Sequence, residues 1–401
     1  MDSKNNNNAN DAILQTNGLR YVMPKPLSTS LNRTYKKQYA QRQTYSNGET
    51  IVFDLNVSGQ VDPQVSYLTF KLSSDQNFSF GDGSVGNIIR EVRIQSKNGV
   101  ELDRIQNFNA WNYIRLNTQE DGDELQFKSS IIGHNLQAPI AGAGQQFILP
   151  CSHLSGLFRP HIKGQKIPSH MLSGARIELQ LENVNRALIG ANGNTSYTVE
   201  KPTFNLMEHQ LNDNTLKVLT EESANNGLEY TYDRVFCSIE TTNNNILHTQ
   251  IKKAVSQATS VCTTVHLANG QNQLNADSFA TFGAGNHFGK YQYRIASNYY
   301  PQVAVDNLQE AYMVSQSAMT PERVKGWNSN NGYVNYVNDQ FHVSVPLKSD
   351  HEISSSGLAI NNSATLALEY EATDNNNKIY YTFMTYTALA RVFLQQITVK
   401  I

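Results

Sequence analysis

The chain has 401 residues, a size that predicts two or three domains with a core large enough to need no disulfide or metal. Hydrophobic residues make up 39% of the chain and charged residues 16%. Much of the remainder is Asn, Gln, Ser, Thr and Gly, which favours short strands joined by polar loops over long helices. The net charge of −2 argues against nucleic-acid binding by the chain as a whole.

The three cysteines, Cys151, Cys237 and Cys262, are far apart in the sequence. They match neither a disulfide framework nor a metal-ligand spacing, which indicates buried thiols in a protein made in a reducing compartment. The first twenty residues are polar and lack the apolar segment of a signal peptide. No run of about 18 apolar residues predicts a membrane span, so we expect a soluble protein that is not secreted.

Residues 1–45 are predicted to form an extended, partly disordered N-terminal arm. They show no hydrophobic periodicity and carry more basic than acidic residues. Tyrosines are interleaved with the basic residues, a composition that suits contact with a polyanion or a partner surface. The candidate contact residues are Arg20, Lys25, Arg33, Lys36, Lys37 and Arg42. A flexible, solvated tail is the alternative interpretation.

Alternation of apolar and polar residues predicts a series of strands, with order beginning near Asn47-Gly48. The alternating runs fall at 51–57, 68–72, 92–95, 100–105 and 177–181 in the first half, and at 291–295, 341–347, 366–370 and 397–401 in the second. Asn98-Gly99 separates two of these runs and predicts a hairpin. A polar stretch at 183–227 interrupts the pattern, which resumes at Tyr230.

Two segments show helical rather than strand spacing, near 107–117 and 305–319. Their apolar positions are Phe108, Trp111 and Ile114 in the first, and Leu308, Ala311, Tyr312 and Met319 in the second. Asp306 and Gln309 have the spacing of a capping box at the start of the second helix. The order of strand, helix and later strand repeats in the two halves. This predicts two β-sandwiches of about eight short strands, the size of a jelly roll, each with a flanking helix.

The sequence contains only weak matches to ligand-binding and metal-binding motifs. Residues 81–86 match G-x-G-x-x-G, but a strand follows where a dinucleotide site needs a helix, so a Gly-rich hairpin loop is favoured. The acidic residues at 121–124 lack EF-hand spacing and indicate an exposed loop. His153, His161 and His170 match no metal-ligand spacing and are expected to be structural. We therefore expect no catalytic residues, no metal and no cofactor.

Four segments carry a family resemblance: 44–54 (TYSNGETIVFD), 149–158 and 167–181 in the first half, and 293–302 (YRIASNYYPQ) in the second. They resemble segments of the double jelly-roll major capsid proteins of the adenovirus and tailless-phage lineage, especially those of polinton-like viruses and virophages. The first segment is similar to the opening of the first jelly roll in these proteins, and the next two are similar to later strands of that domain. The fourth resembles a strand and Tyr-Pro segment that precedes a helix. The likeness spans residues 44–401.

This resemblance implies an all-β chain with two tandem eight-stranded jelly rolls, at 46–210 and 211–401, after the arm at 1–45. It also implies a non-enzymatic major capsid protein of a DNA virus. Its homotrimers have a pseudo-hexagonal outline and tile an icosahedral shell around the genome in the virion. Penton and minor capsid proteins would be further partners. The arm would line the inside of the shell, against an internal membrane or the genome, and no small-molecule substrate is expected.

Two other functions are compatible with a jelly roll. A carbohydrate- or receptor-binding module, such as a virion spike, would present clustered exposed aromatic residues and need no lattice contacts. An enzyme of the cupin type would need closely spaced His and Glu ligands for a metal.

Overall fold

The computed structural model describes residues 30–119, 129–134, 136, 139–162, 164–190, 195–268, 277–281, 283–319, 332–348, 357–361, 364–393 and 396–401. Over these residues the chain is mainly antiparallel β-sheet, so the predicted all-β class is confirmed.

The strands of the first half are β1 (Ser30–Tyr39), β2 (Thr44–Ser46), β3 (Thr50–Asp54), β4 (Gln60–Ser74), β5 (Ile89–Gln95), β6 (Glu101–Gln106), β7 (Gln145–Pro150), β8 (Arg176–Leu181) and β9 (Tyr197–Leu211). Those of the second half are β10 (Leu228–Thr242), β11 (Ile246–Ile251), β12 (Val255–Leu267), β13 (Phe288–Ile295), β14 (Asn298–Val305), β15 (His342–Pro346), β16 (Leu358–Ile360), β17 (Leu366–Ala372), β18 (Lys378–Phe393) and β19 (Gln396–Lys400).

The α-helices are α1 (Phe108–Gln119), α2 (Cys151–Leu154), α3 (Ser169–Leu172), α4 (Val184–Ala187), α5 (Asp213–Asn225), α6 (Leu308–Met319) and α7 (Tyr333–Asn338). Single 3-10 turns lie at Val85–Ile88, Gly156–Phe158 and Ala284–His287. Within the described part of the chain, no helix combines the length and the apolar character needed to cross a membrane.

Each of the four sheets takes all its strands from one half of the chain. The first half forms the sheets β1-β9-β4-β7 and β3-β8-β5-β6, with β2 also pairing with β9. The second half forms β10-β18-β12-β15 and β11-β17-β13-β14, with β16 and β19 added to the first of these. The two halves therefore repeat one strand order, that of a jelly roll, and the predicted double jelly roll is confirmed. By position, β1 corresponds to β10, β6 to β14, and α1 to α6.

The predicted hairpin and the two predicted long helices are confirmed. β5 and β6 pair antiparallel around Asn98-Gly99, and Gly99 has the positive φ of 77° that this turn requires. α1 and α6 lie within two or three residues of the predicted ranges. The cap of α6 is one residue later than expected, because the Oδ1 of Asn307 accepts the backbone N–H of Glu310 at 2.7 Å.

The polar break predicted at 183–227 is wrong, since it contains the central strand β9 and the helix α5. The alternation of buried residues in β9 changes midway along the strand. The odd-numbered Tyr197 and Val199 are buried in its first part, and the even-numbered Phe204 and Leu206 in its second part. Lys201 lies between them with a left-handed φ of 49°, which shifts the parity of the strand and hides it from a strict period-two search.

Two elements escaped detection because few of their side chains are buried. Ser223 is the one buried side chain of α5, so this helix lacks a clear apolar stripe. Order was expected from Asn47, but β1 and β2 already pair with β9. β1 is held by backbone hydrogen bonds and leaves Tyr35 and Tyr39 exposed, so hydrophobic periodicity does not mark it.

Most of the hydrophobic core lies in two large clusters, one for each sandwich. The cluster of the second sandwich is internal to its two sheets and includes Tyr293, Leu368 and Met384. The cluster of the first sandwich extends beyond its own sheets and takes in Tyr232 and Phe383 from the second half. Apolar packing is therefore continuous from one jelly roll to the next.

Candidate functional site: the junction between the jelly rolls

The junction is the contact of α1 and β6 with the outer face of the sheet β10-β18-β12-β15. Trp111 on α1 packs on Phe383 of β18 with 5.3 Å between ring centroids. Tyr113, two residues further along α1, packs near Phe279 with 6.3 Å between ring centroids. Phe383 faces outward because Met384, its neighbour, points into the core of the second sandwich.

A buried polar network fastens β6 to β10. The guanidinium of Arg234 contacts Glu101 at 2.8 Å and Asp103 at 3.4 Å, and the side chain of Asp103 is fully buried. Burial raises the pKa of Asp103, while Arg234 and a hydrogen bond from Ser155 oppose that rise. The hydroxyl of Tyr232 donates to the carbonyl of Leu102. This network fixes the register of one jelly roll against the other.

Backbone groups also meet at the junction. The N–H of His161 donates to the carbonyl of Thr231 at 3.1 Å, and its Nε2 lies 3.0 Å from Asp233. The Tyr230 hydroxyl donates to the Leu157 carbonyl at 2.7 Å. At Gly156 a Cβ atom would lie 1.7 Å from the Asp233 carbonyl oxygen, so the close approach requires glycine.

Arg186 on α4 forms a second set of contacts between the halves. One of its guanidinium nitrogens donates to the Tyr381 hydroxyl at 2.9 Å, and the group lies 5.4 Å from the centroid of the Phe279 ring. Glu182, four residues earlier, pairs with the same guanidinium at 3.6 Å. The cation is thus held between an acid of its own jelly roll and two aromatic rings of the other.

The side chains at the junction pack together, donate hydrogen bonds and form ion pairs. A cleft of about 410 Å³ between the jelly rolls is lined by Trp111, Arg115, Arg159, Asp233 and Lys348, among others. In the described ranges, no three His, Cys, Asp or Glu side chains are placed to share a metal ion. The three cysteines are free and buried.

The motifs singled out from the sequence have structural positions. His153 is buried and His170 is exposed, whereas His161 belongs to the junction. The glycines at 81–86 do not form a hairpin, since this loop connects β4 in one sheet to β5 in the other. The amide of Asn112 donates to the hydroxyl of Ser84 at 3.0 Å and ties the loop to α1. The acidic segment 121–124 lies outside the described residues.

The candidate basic residues divide into three groups. Arg20 and Lys25 lie outside the described residues. Lys36 and Arg42 form ion pairs with Glu208 at 3.8 Å and Glu49 at 3.0 Å. Arg33 and Lys37 are exposed on β1, and neither pairs with a carboxylate within the ranges that the structure covers.

Sequence reasoning did not find the residues of the junction. Tyr230, Tyr232 and Arg234 alternate along β10 and mark it as a strand with one aromatic and basic face. The same pattern would suit contact with solvent, with another chain or with the other half of this chain. The partner acid, Asp103, lies more than a hundred residues away, and no local signal connects the two.

The fold is that of known capsid proteins. A Faustovirus major capsid protein is similar with a TM-score of 0.64 and 8% identity over 93% of each chain. PBCV-1 VP54 is similar with a TM-score of 0.62 and 11% identity over 94% of this chain and 98% of that one. The mavirus major capsid protein is similar with a TM-score of 0.55 and 10% identity over 96% and 93%.

At the level of sequence, no family model and no curated protein matches the chain. Identities near 10% carry no information about individual residues, but the agreement in fold covers nearly the whole of both chains. The chain therefore has the double jelly-roll fold of virophage and large-virus major capsid proteins.

Proposed function

We propose that this chain is a viral major capsid protein that self-assembles into homotrimeric, pseudo-hexagonal capsomers, which tile an icosahedral shell around the genome. The observation that carries this proposal is the buried junction. It joins two equivalent jelly rolls through Trp111, Arg234 and Gly156, so a single chain is a rigid block of two like units. Three such blocks supply six jelly rolls for one capsomer.

The proposed work of the molecule is binding and not catalysis. Its partners are other copies of itself, and its site of action is the virion. Obligate interfaces of this kind commonly bury more than about 2,000 Å². The proposal also includes contacts with penton and minor capsid proteins. The N-terminal arm would contact an internal membrane or the genome.

The first experiment measures the native mass of the purified protein and images it by negative-stain microscopy. We expect a stable oligomer of about three times the 44.9 kDa chain, and closed particles under assembly conditions. A protein that stays monomeric at all concentrations, or binds glycans without assembling, would contradict the proposal.

The arm needs its own test, and the position of β1 decides the design. Deleting residues 1–45 would remove β1 and β2, which pair with β9, and so would damage the first sandwich. Deleting residues 1–29 leaves every described strand in place. We expect this shorter deletion to preserve the thermal midpoint and to reduce particle yield. Normal particles from it would contradict a role of the arm in assembly.

A further inference from the structure

The helix α5, which connects β9 of the first jelly roll to β10 of the second, is poorly covered. Ser223 is its one buried side chain, whereas Leu216 is 51% and Val218 63% exposed. Neither of the two large core clusters includes a residue of this helix. A helix of 13 residues is marginally stable by itself, and helices of this length depend mainly on the packing of an apolar face. α5 therefore leaves apolar surface available to a further segment.

One side of α5 combines this apolar surface with negative charge. Val218, Glu221 and Glu222 are spaced three and four residues apart, so they share one side of the helix. All three are exposed, and neither glutamate forms an ion pair within the described ranges. A segment that covers this side should therefore carry both apolar and basic side chains.

The N-terminal segment of the chain starts from the right place to supply this cover. β1 begins at Ser30, which pairs with Leu211 near the end of β9. α5 begins two residues after Leu211, at Asp213. The chain therefore enters β1 beside the first turn of α5, and residues 1–29 precede that point.

Residues 19–27, LRYVMPKPL, have the composition that this side of α5 requires. They contain five apolar residues, two cations and no acid. Pro24 and Pro26 favour an extended backbone, because proline fixes its own φ and disfavours a helical conformation of the residue before it. An extended strip of this kind can lie along a helix.

The lengths of the two segments agree. An extended chain advances about 3.3 Å per residue and an α-helix about 1.5 Å. Leu27 then lies about 10 Å from the start of β1, and Val218 lies about 8 Å from the start of α5. Lys25 lies about 16 Å and Glu222 about 14 Å from the same points. This register places an apolar residue beside an apolar residue and a cation beside an acid.

We infer that residues 19–29 run along α5 of the same chain, with Leu27 on Val218 and Lys25 beside Glu221 and Glu222. The inference concerns a single chain and does not depend on the proposed capsomer. The contact fixes the N-terminal arm to the connection between the jelly rolls. Lys25 then pairs within the chain, whereas Arg33 and Lys37 stay available to a polyanion.

The first test is a disulfide between the two surfaces. In the full chain carrying Leu27→Cys and Val218→Cys, we expect mild oxidation to link the two new cysteines within one chain. Peptide mass mapping identifies the link, and a non-reducing gel shows a single chain of 44.9 kDa. The three natural cysteines are buried and do not compete. A product of twice this mass would place the segment on α5 of a second copy and would overturn the inference, as would the absence of any link.

The matched control moves the second cysteine to another exposed valine. Val334 is 68% exposed on α7, beside Tyr333, which packs on Tyr312 of α6 in the second jelly roll. Leu27→Cys with Val334→Cys should stay reduced under the same conditions. Equal linking in both pairs would show that the segment has no fixed position, and would overturn the inference. Circular dichroism verifies that both proteins are folded.

Hydrogen exchange tests the contact without new cysteines. Deleting residues 1–18 keeps the proposed strip, and deleting residues 1–29 removes it. We expect the amides of α5 to exchange about tenfold faster in the longer deletion, with those of β9 and β18 unchanged. The thermal midpoint should be the same in both, because α5 lies outside the core clusters. Equal exchange of α5 in the two deletions would overturn the inference.

These outcomes are separate from those of the proposed function. An intrachain link and slower exchange in a protein that stays monomeric would support the docked arm and contradict the capsomer. A trimer that shows neither would support the capsomer and contradict the docked arm.

Discussion

The guanidinium of Arg234 on β10 lies against the carboxylate of Asp103 on β6, with 3.4 Å between Nε and Oδ1. The Arg234 side chain is 8% exposed and that of Asp103 is fully buried. This ion pair therefore joins the two jelly rolls in a largely buried region, where the loss of a single partner is costly.

We expect Arg234→Leu to lower the free energy of unfolding by about 3–5 kcal/mol, because it leaves the Asp103 carboxylate buried and unpaired. The denaturation midpoint measures this effect. Combining it with Asp103→Leu should recover part of the loss, since no buried charge remains. Arg294→Leu is the control: its pair with Glu369 is 4.0 Å long and exposed, so it should cost less than about 1 kcal/mol. Equal losses for Arg234→Leu and Arg294→Leu would contradict this account.

Gly156 gives a prediction about backbone approach. A methyl group on Gly156 would overlap the carbonyl oxygen of Asp233, so Gly156→Ala must push the jelly rolls apart. We expect a loss of about 1–3 kcal/mol or more, together with faster proteolysis at the junction. Gly332→Ala places its methyl group in open space and should cost no more than about 1 kcal/mol of helix capping. A Gly156→Ala protein as stable as the Gly332→Ala protein would show that the halves are not held this closely.

Local patterns were sufficient for the strands with one buried face. β8 alternates strictly, β5 and β13 alternate after an irregular first turn of the pattern, and α1 and α6 repeat at helical spacing, so each could be predicted from its own residues. β9 could not be predicted, because Lys201 reverses its alternation. β1 could not be predicted either, since its pairing with β9 uses backbone groups that are the same in every residue.

The junction could not be predicted from local sequence patterns either, for a different reason. Two jelly rolls were predictable, but their mutual packing depends on pairs such as Trp111 with Phe383, which no spacing in the sequence connects. α1 is buried from Phe108 to Thr118, whereas α6 is buried on one side only. Equivalent helices therefore differ in burial because the halves pack unequally around them.

The buried cysteines give a prediction about reactivity. Burial raises the pKa of Cys237 and Cys262 to about 12, and that of Cys151 further, so little thiolate exists at neutral pH. We expect a thiol reagent to label the native protein very slowly and to label three thiols per chain in denaturant. Rapid labelling of the native protein at neutral pH would contradict the burial of these groups.

Asp277 gives a prediction about pH. Burial raises the pKa of its carboxyl group to about 7, with Asp82 and Asp339 adding negative charge nearby. Its Oδ2 atom has no hydrogen-bond partner in the described residues. Burial raises the pKa of the nearby Tyr113 phenol, and the charges of Asp277, Asp82 and Asp339 add to that rise. An aspartate in the unfolded chain titrates near 4.

The folded protein therefore binds one more proton than the unfolded chain between about pH 4 and pH 7. Stability falls as the pH rises through this range and levels off above it, by at most about 4 kcal/mol from this group. Asp277→Asn should remove this part of the slope and make the protein more stable than the unaltered chain at pH 8. Thermal midpoints at pH 5 and pH 8 measure it, with the exposed Asp213→Asn as control. Equal slopes for Asp277→Asn and the unaltered chain would show that Asp277 is already ionised in the folded protein at pH 5.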